Sequence, residues 1–212
     1  MLDMAKSIGE SLAIVIVAVA SAIQYMKIQN KKEDVQNKTK VSRSVEYVAK
    51  YEADIVKNLE YIKEETFADR VMLFEFHNGV HYADGRIATK TSCTFEVCRH
   101  SQQQLQAEYQ NIQLSRVVKS LKRLFDEEII RYRDNLKQLE EDDYETYKLF
   151  EKSGVKRLYA RLIRNNIGNP IGFIVVEYCT EETNNIEFDE MKFTEHFGVI
   201  KEKLYELVEG FK

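Results

Sequence analysis

One proline, eight glycines and no extended Ser/Gly tract in 212 residues leave little room for a disordered linker. Three cysteines, Cys93, Cys98 and Cys179, cannot all pair, and their spacings fit no zinc pattern. Reduced thiols in a cytoplasmic compartment are the simplest reading. Neither sign of charge dominates: 31 basic and 35 acidic residues give a net charge of −4, so no global nucleic-acid signal is present. The sequence has no phosphate-binding glycine loop, no G-x-S-x-G elbow and no kinase signature. No histidine-kinase, diguanylate-cyclase or DNA-binding output segment is recognisable either. The parts of an enzyme are missing, and nothing calls for a cofactor. What is there is a body that is 44% hydrophobic and 31% charged, enough to bury a substantial core.

The most apolar run is "LAIVIVAVASAI", Leu12–Ile23. Taken strictly it is shorter than the roughly 20 residues that cross a bilayer, and it reaches that length only if extended over residues 8–26, which include Glu10 and Gln24. Lys27, Lys31, Lys32, Lys38, Lys40 and Arg43 follow it, an excess of the kind found on the cytoplasmic side of a span. The run reads as a membrane anchor touching lipid through residues 8–26, with the body in the cytoplasm. A helix buried in protein and a cleaved signal peptide are the alternatives. The implied organisation is a hydrophobic helix over 1–26, a basic linker over 27–44 and a folded domain over 45–212.

From Val41 to Ile62 apolar residues follow a heptad: Val41, Val48, Ile55 and Ile62 in one column, Val45 and Leu59 in the other, interrupted by Glu52. The pattern fits a short coiled-coil stem or an amphipathic helix lying on its own domain. Phe193, Phe197, Ile200, Leu204, Leu207 and Phe211 form a second helical stripe near the other end. The two stripes suggest a homo-oligomer.

Between them the period becomes two. "RVMLFEFH" (70–77) is apolar on both faces up to Glu75 and reads as a central strand. "TSCTFEVCR" (91–99) alternates, placing Cys93, Phe95 and Val97 on one face, with Cys98 on the other. A helix over 114–125, a short strand over 128–133 and a helix over 142–154 follow. "NIGN" (166–169) then joins two strands in the strongest hairpin signal of the chain. The order predicts an α+β fold with an antiparallel sheet and helices to one side.

"FEFHNGVHYADG" (74–85) carries His77 and His81 with Glu75 and Asp84. On a strand Glu75 and His77 share one face and Phe74 and Phe76 the other, and Asn78-Gly79 would end the strand in a turn. His81 then falls on a loop, not one helical turn from His77 as in a metalloprotease pair. A metal would need Asp84, Cys98 or His100 as a third ligand. A structural turn, the rim of a ligand pocket, a metal site and an acid/base pair are the competing readings, and no metal is expected.

"DRVMLFEFHNG" (69–79) and "EEIIRYRDN…YKLFEKSGVKRLYARLIRNNIGNPIGFIVVEY" (127–178) resemble the core of GAF-type sensory domains, the PAS-related fold of signalling proteins, over residues 45–208. The "FHNG" form is similar to GAF-like proteins of bacteriophages and prophages, some with an N-terminal apolar segment. "NNIEFDE" (184–190) lacks the Lys and the spacing of the cyclic-nucleotide signature. The resemblance implies a GAF/PAS-like antiparallel sheet between N- and C-terminal helices, acting as a membrane-tethered, non-enzymatic binding or interaction module for an unknown small ligand or protein. A structural component of a phage particle or of its membrane stage, hence a virion location, is the alternative. The ligand-pocket candidates are Phe74, Phe76, His77, Asn78, Cys93, Phe95 and Tyr159.

Overall fold

The computed structural model describes residues 48–81, 87–132 and 136–210, with Lys27 and Glu46, and the side chains of these except 78–81, 87–89, 136–138 and 207–210. The chain divides into two compact units, Met1–Lys50 and Tyr51–Lys212, and the second carries the sheet. The apolar run Leu12–Ile23, the linker apart from Lys27, and the heptad positions Val41 and Val45 lie outside the described residues.

Helix α1 covers residues 48–65. From Tyr51 on it presents Ile55, Leu59 and Ile62, spaced four and three apart, to the core, where each is fully buried. Burial of this kind stabilises by about 1.5–3 kcal/mol per side chain. The helix stops where Phe67 turns to φ 55°, while Ala68 N–H donates to the Lys63 carbonyl and the Thr66 hydroxyl to that of Ile62.

Strands β1 (Arg70–His81), β2 (Ile87–Cys98), β3 (Ile112–Gln113), β4 (Ile129–Tyr132), β5 (Arg157–Arg164) and β6 (Pro170–Tyr178) form one sheet in the order β3-β2-β1-β6-β5-β4. All its pairings are antiparallel. Helices α2 (Val118–Glu127), α3 (Leu136–Asp142), α4 (Tyr144–Lys152), α5 (Glu181–Asn184) and α6 (Glu190–Gly210) complete the fold. Strand β1 is central, as its two apolar faces require.

The helices do not lie to one side of the sheet, as expected, but on both. On one face, Val71, Leu73, Ile174 and Val176 pack with Ile55, Leu59 and Ile62 of α1 and with Phe193, Phe197, Ile200 and Leu204 of α6. On the other, Met72, Phe74, Leu158, Ala160 and Val175 pack with Leu121 and Leu124 of α2, Leu139 of α3, and Leu105 and Tyr109 of the β2–β3 connection. From Tyr51 to Leu204 the stripes are thus spent on this chain's own sheet, while Phe211 and the Leu207 side chain lie outside the described ones. The amphipathic-helix reading holds at these buried positions, which are not an exposed seam.

Two register features correct the strand reading. First, β1 does not end at Asn78-Gly79. It runs to His81, pairing Asn78 with Thr89 and His81 with Ile87 across a register shift. The reversal between β1 and β2 falls on residues 82–86, outside the described ones. Second, Leu73 faces Phe95 while Phe74 faces Cys93, leaving Thr94 as a bulge. The extra residue inverts the alternation. Cys93 joins the α2 side while Phe95 and Val97 face α1 and α6. Cys98, opposite Arg70, returns to the side of Cys93.

The β5–β6 hairpin forms as expected, closed by Asn165, whose side-chain carbonyl accepts from Ile167 N–H and Asn169 N–H. Gly168 has φ +85° with open space where a Cβ would stand. Gly168→Ala is therefore expected to lose about 1 kcal/mol from backbone strain alone, read as a drop in urea midpoint at unchanged slope.

The membrane-anchored placement is corrected. Among the described residues no helix is long and apolar enough to cross a membrane. The longest described helix, α6, has 21 residues, but its Phe193, Phe197, Ile200 and Leu204 are committed to the sheet and the helix also carries charges such as Glu195, Lys201 and Glu202.

Candidate ligand-binding site

Between the sheet and helices α2 and α4 lies a cavity of about 90 Å³. Strands supply Met72, Phe74, Leu158, Ala160, Phe173 and Val175, α2 supplies Leu121 and Leu124, and α4 supplies Leu149 and Phe150. The rings of Phe74 and Phe173 stack at 4.9 Å between centroids and nearly parallel.

The Ser120, Thr146, Thr91 and Tyr109 hydroxyls around this space are turned into the protein. Ser120 Oγ donates to Asp143 Oδ2 at 2.8 Å, and Thr146 Oγ1 donates to the same oxygen at 3.0 Å. Thr91 Oγ1 donates to the Glu75 carbonyl, and Tyr109 OH bonds Ser153 Oγ at 2.5 Å. Asp143 is the N-cap of α4 and also receives Ser120 N–H near the start of α2, so one carboxylate fixes both helix starts. Burial pushes its pKa upward, but the bonds from Ser120 and Thr146 outweigh that and hold it below the usual carboxylate range. The wall left facing the cavity is apolar.

At one end of this layer, three charges are buried together. Arg70, Glu96 and Glu177 are each at most 1% exposed at the side chain. Arg70 Nη1 lies 2.5 Å from Glu177 Oε2, and its Nε lies 3.0 Å from Glu96 Oε1, an ion pair off hydrogen-bond alignment. Arg70 Nη2 donates to the Gln103 carbonyl at 2.8 Å. Glu96 Oε2 accepts Leu105 N–H and Gln106 N–H at 2.8 and 2.7 Å. Glu177 Oε1 has no hydrogen-bond partner among the described residues. Burial pushes Glu177 up, Arg70 opposes this, Glu96 adds to it, and the outcome is about 7.

Of the residues expected at a pocket, Phe74 lines the cavity and Phe76 borders it, packing on Phe125 and Phe173 at 5.9 and 5.6 Å. Cys93 is buried on the same side. Phe95 and Tyr159 belong to the opposite core, where Tyr159 stacks on Phe188 at 4.2 Å. His77 Nε2 lies 2.9 Å from Ser92 Oγ. Asn78 sits on β1, and its side chain is outside the described ones. Among the described residues no group of three His, Cys, Asp or Glu is placed to hold a metal. Sequence reading missed Leu121, Leu124, Ala160 and Val175. Their signal was the alternation of β5 and β6 and the α2 stripe, which specify burial without distinguishing a cavity wall from solid core.

No protein-family model matches the sequence, and no curated protein matches it. Solved structures do match in shape. The photoproduct state of a GAF domain from Synechocystis aligns at TM-score 0.55 and 9% identity, over 76% of this chain and 99% of that one. The blue-light-absorbing form of the PixJ GAF domain of Thermosynechococcus elongatus aligns at 0.53 and 12%, over 78% and 92%. A structure of the cyanobacteriochrome receptor PixJ aligns at 0.50 and 10%, over 76% and 97%. These likenesses carry nothing on phage origin. At such identities they show the fold, and the fold of this chain is that of GAF domains.

Proposed function

We propose that this GAF-fold body is a non-enzymatic binding module whose cavity between the sheet and α2/α4 receives a small apolar molecule. The observation that carries it is the pairing of an open volume with an apolar wall on which the Ser120, Thr146, Thr91 and Tyr109 hydroxyls are engaged elsewhere. A ligand entering there gains apolar contact and loses any hydrogen bond it had in water, so polar ligands are disfavoured. Tyr109 is a poor proton donor there: burial pushes it up to about 12, and its hydroxyl already bonds Ser153.

A light-absorbing group of the kind implied by the neighbours' described states does not fit. Absorbing visible light takes an extended conjugated system, far larger than about 90 Å³. No cysteine lines the cavity, and burial raises the thiol pKa of Cys93 beyond reach and that of Cys179 to about 12. A homo-oligomer of this chain would use the outward faces of α1 and α6, where Val56, Tyr61 and Val199 are exposed, because the apolar stripes are already buried.

Xenon, a probe with no hydrogen-bonding groups, tests the cavity. Dissolved xenon is expected to shift the methyl resonances of Leu121, Leu124 and Val175 selectively. Ala160→Val, which adds volume from β5 into the space, is expected to weaken that response while changing stability by less than about 1 kcal/mol. An unresponsive wild-type cavity, or an equal response in Ala160→Val, overturns the reading.

A further inference from the structure

We propose that the β2–β3 connection, residues 99–111, is a proton-controlled cover of the apolar cavity, held shut when the Arg70–Glu96–Glu177 cluster carries one proton and loosened when it is fully ionised. The ligand half of this statement rests on the function proposed above. The cover's response to protons does not.

The middle of the cover is tied to the sheet through the buried charges, while its ends are fastened by Arg99, which donates to the Asp69, Ala68 and Phe67 carbonyls, and by Asn111 N–H on Ser92 Oγ. Gln103 hangs by its carbonyl from Arg70, and Leu105 and Gln106 hang by their amides from Glu96. Cys93 N–H donates to the Tyr109 carbonyl at 2.8 Å, and Gln110 Nε2 donates to the Cys93 carbonyl. Tyr109 carries the cover to the cavity: it lines it, tilts against Phe74 at 5.9 Å and reaches Ser153 at the end of α4. Loosening the cover therefore moves a wall of the cavity.

The cluster is built to take a proton. Two carboxylates share one guanidinium, so full ionisation leaves an uncompensated negative charge in a layer that excludes water. The groups facing Glu177 are Arg70 from β1 and Glu96 from β2, with the Cys93 and Cys179 thiols nearby, Tyr109 from the cover, and Asp69 beside Cys179. Asp69 is itself occupied by Cys179 N–H, Thr180 N–H and the Thr183 hydroxyl. Glu177 Oε1, without a partner, is the atom that receives the proton. Once that proton leaves, Glu177 competes with Glu96 for Arg70, and the competition falls on the bonds that fasten the cover.

The sign follows from linkage. Closed, Glu177 titrates near 7, and opened to water it returns toward the ordinary carboxylate value of 4.5, so rising pH favours opening between those limits. Between pH 5.5 and 8.5 the opening equilibrium is expected to rise on the order of 30-fold.

Amide hydrogen exchange of the full chain, read by mass spectrometry and corrected for intrinsic rates, measures this over peptides covering 99–111. The expected result is loss of protection there at pH 8.5 relative to 5.5, with Glu177→Gln retaining protection at both. Glu96→Gln, which also leaves a neutral cluster, is expected to flatten the profile and serves if Glu177→Gln fails to fold. Equal protection of the wild type at both pH values, or an unchanged pH dependence in a folded variant, overturns the proposal. Xenon at pH 5.5 reports on the cavity alone, so failure of the ligand reading is distinguishable from failure of the cover.

Discussion

Arg70→Met is expected to cost about 3–5 kcal/mol at neutral pH, among the largest losses available to a single substitution in this chain. The side chain it removes is 1% exposed and is the cation within reach of both Glu96 and Glu177. Without it two carboxylates face each other in an apolar layer and the Gln103 carbonyl loses its donor. Methionine fills similar volume, so the loss is electrostatic and not a cavity effect. The variant should recover part of its stability on acidification, because both carboxylates can then take protons. Glu177→Leu placed on top of Arg70→Met should restore part of the loss at neutral pH, since it removes one uncompensated charge. Urea titrations at pH 5.5 and 7.5 measure both effects. A variant equally destabilised at the two pH values, with no rescue from Glu177→Leu, would mean that packing and not charge holds this corner together.

That cluster shows what the sequence could not express. Arg70 and Glu177 stand 107 residues apart, and only the β1–β6 register makes them neighbours. The central position of β1 was legible because its apolar run has no polar face, and the β5–β6 hairpin because Asn and Gly tolerate the backbone the reversal needs. The side on which a residue points was not legible past a bulge. Thr94 carries no mark of being the extra residue, yet it separates Cys93 from Phe95 and changes which core each one enters. Asn78-Gly79 looked like a strand end because those residues permit a turn, but permission is not requirement, and pairing to β2 carries the strand through. The cavity was hidden for a different reason. Leu121, Leu124 and Ala160 are apolar whether they touch another side chain or empty space, and only the shape of their neighbours decides.

Gly172→Ala is expected to be as damaging as the loss of Arg70, through a single methyl group. The sequence offers "PIGFIVV" as an apolar strand with one glycine inside it, and glycine in a strand weakens it unless another backbone comes close. Here one does. Gly172 pairs with Glu75 on β1 and with Ile163 on β5, so it sits between two strands. A Cβ built on it would stand 2.3 Å from the Phe74 carbonyl oxygen and 3.4 Å from the Glu75 Cα. The atom in the way is main chain of the central strand, which no rotamer change can move. Relief requires β1 and β6 to separate where Phe74 and Phe173 stack and where the cavity begins. The cost should reach about 3 kcal/mol or more, at the upper end of what overpacking does, because backbone yields less than side chains. Chemical denaturation gives the magnitude, and the methyl spectrum of Val175 and Leu121 gives the place. A loss under about 1 kcal/mol would show that β6 can shift at Gly172 without breaking its pairing to β1, and the close approach would then not be what reserves the position for glycine.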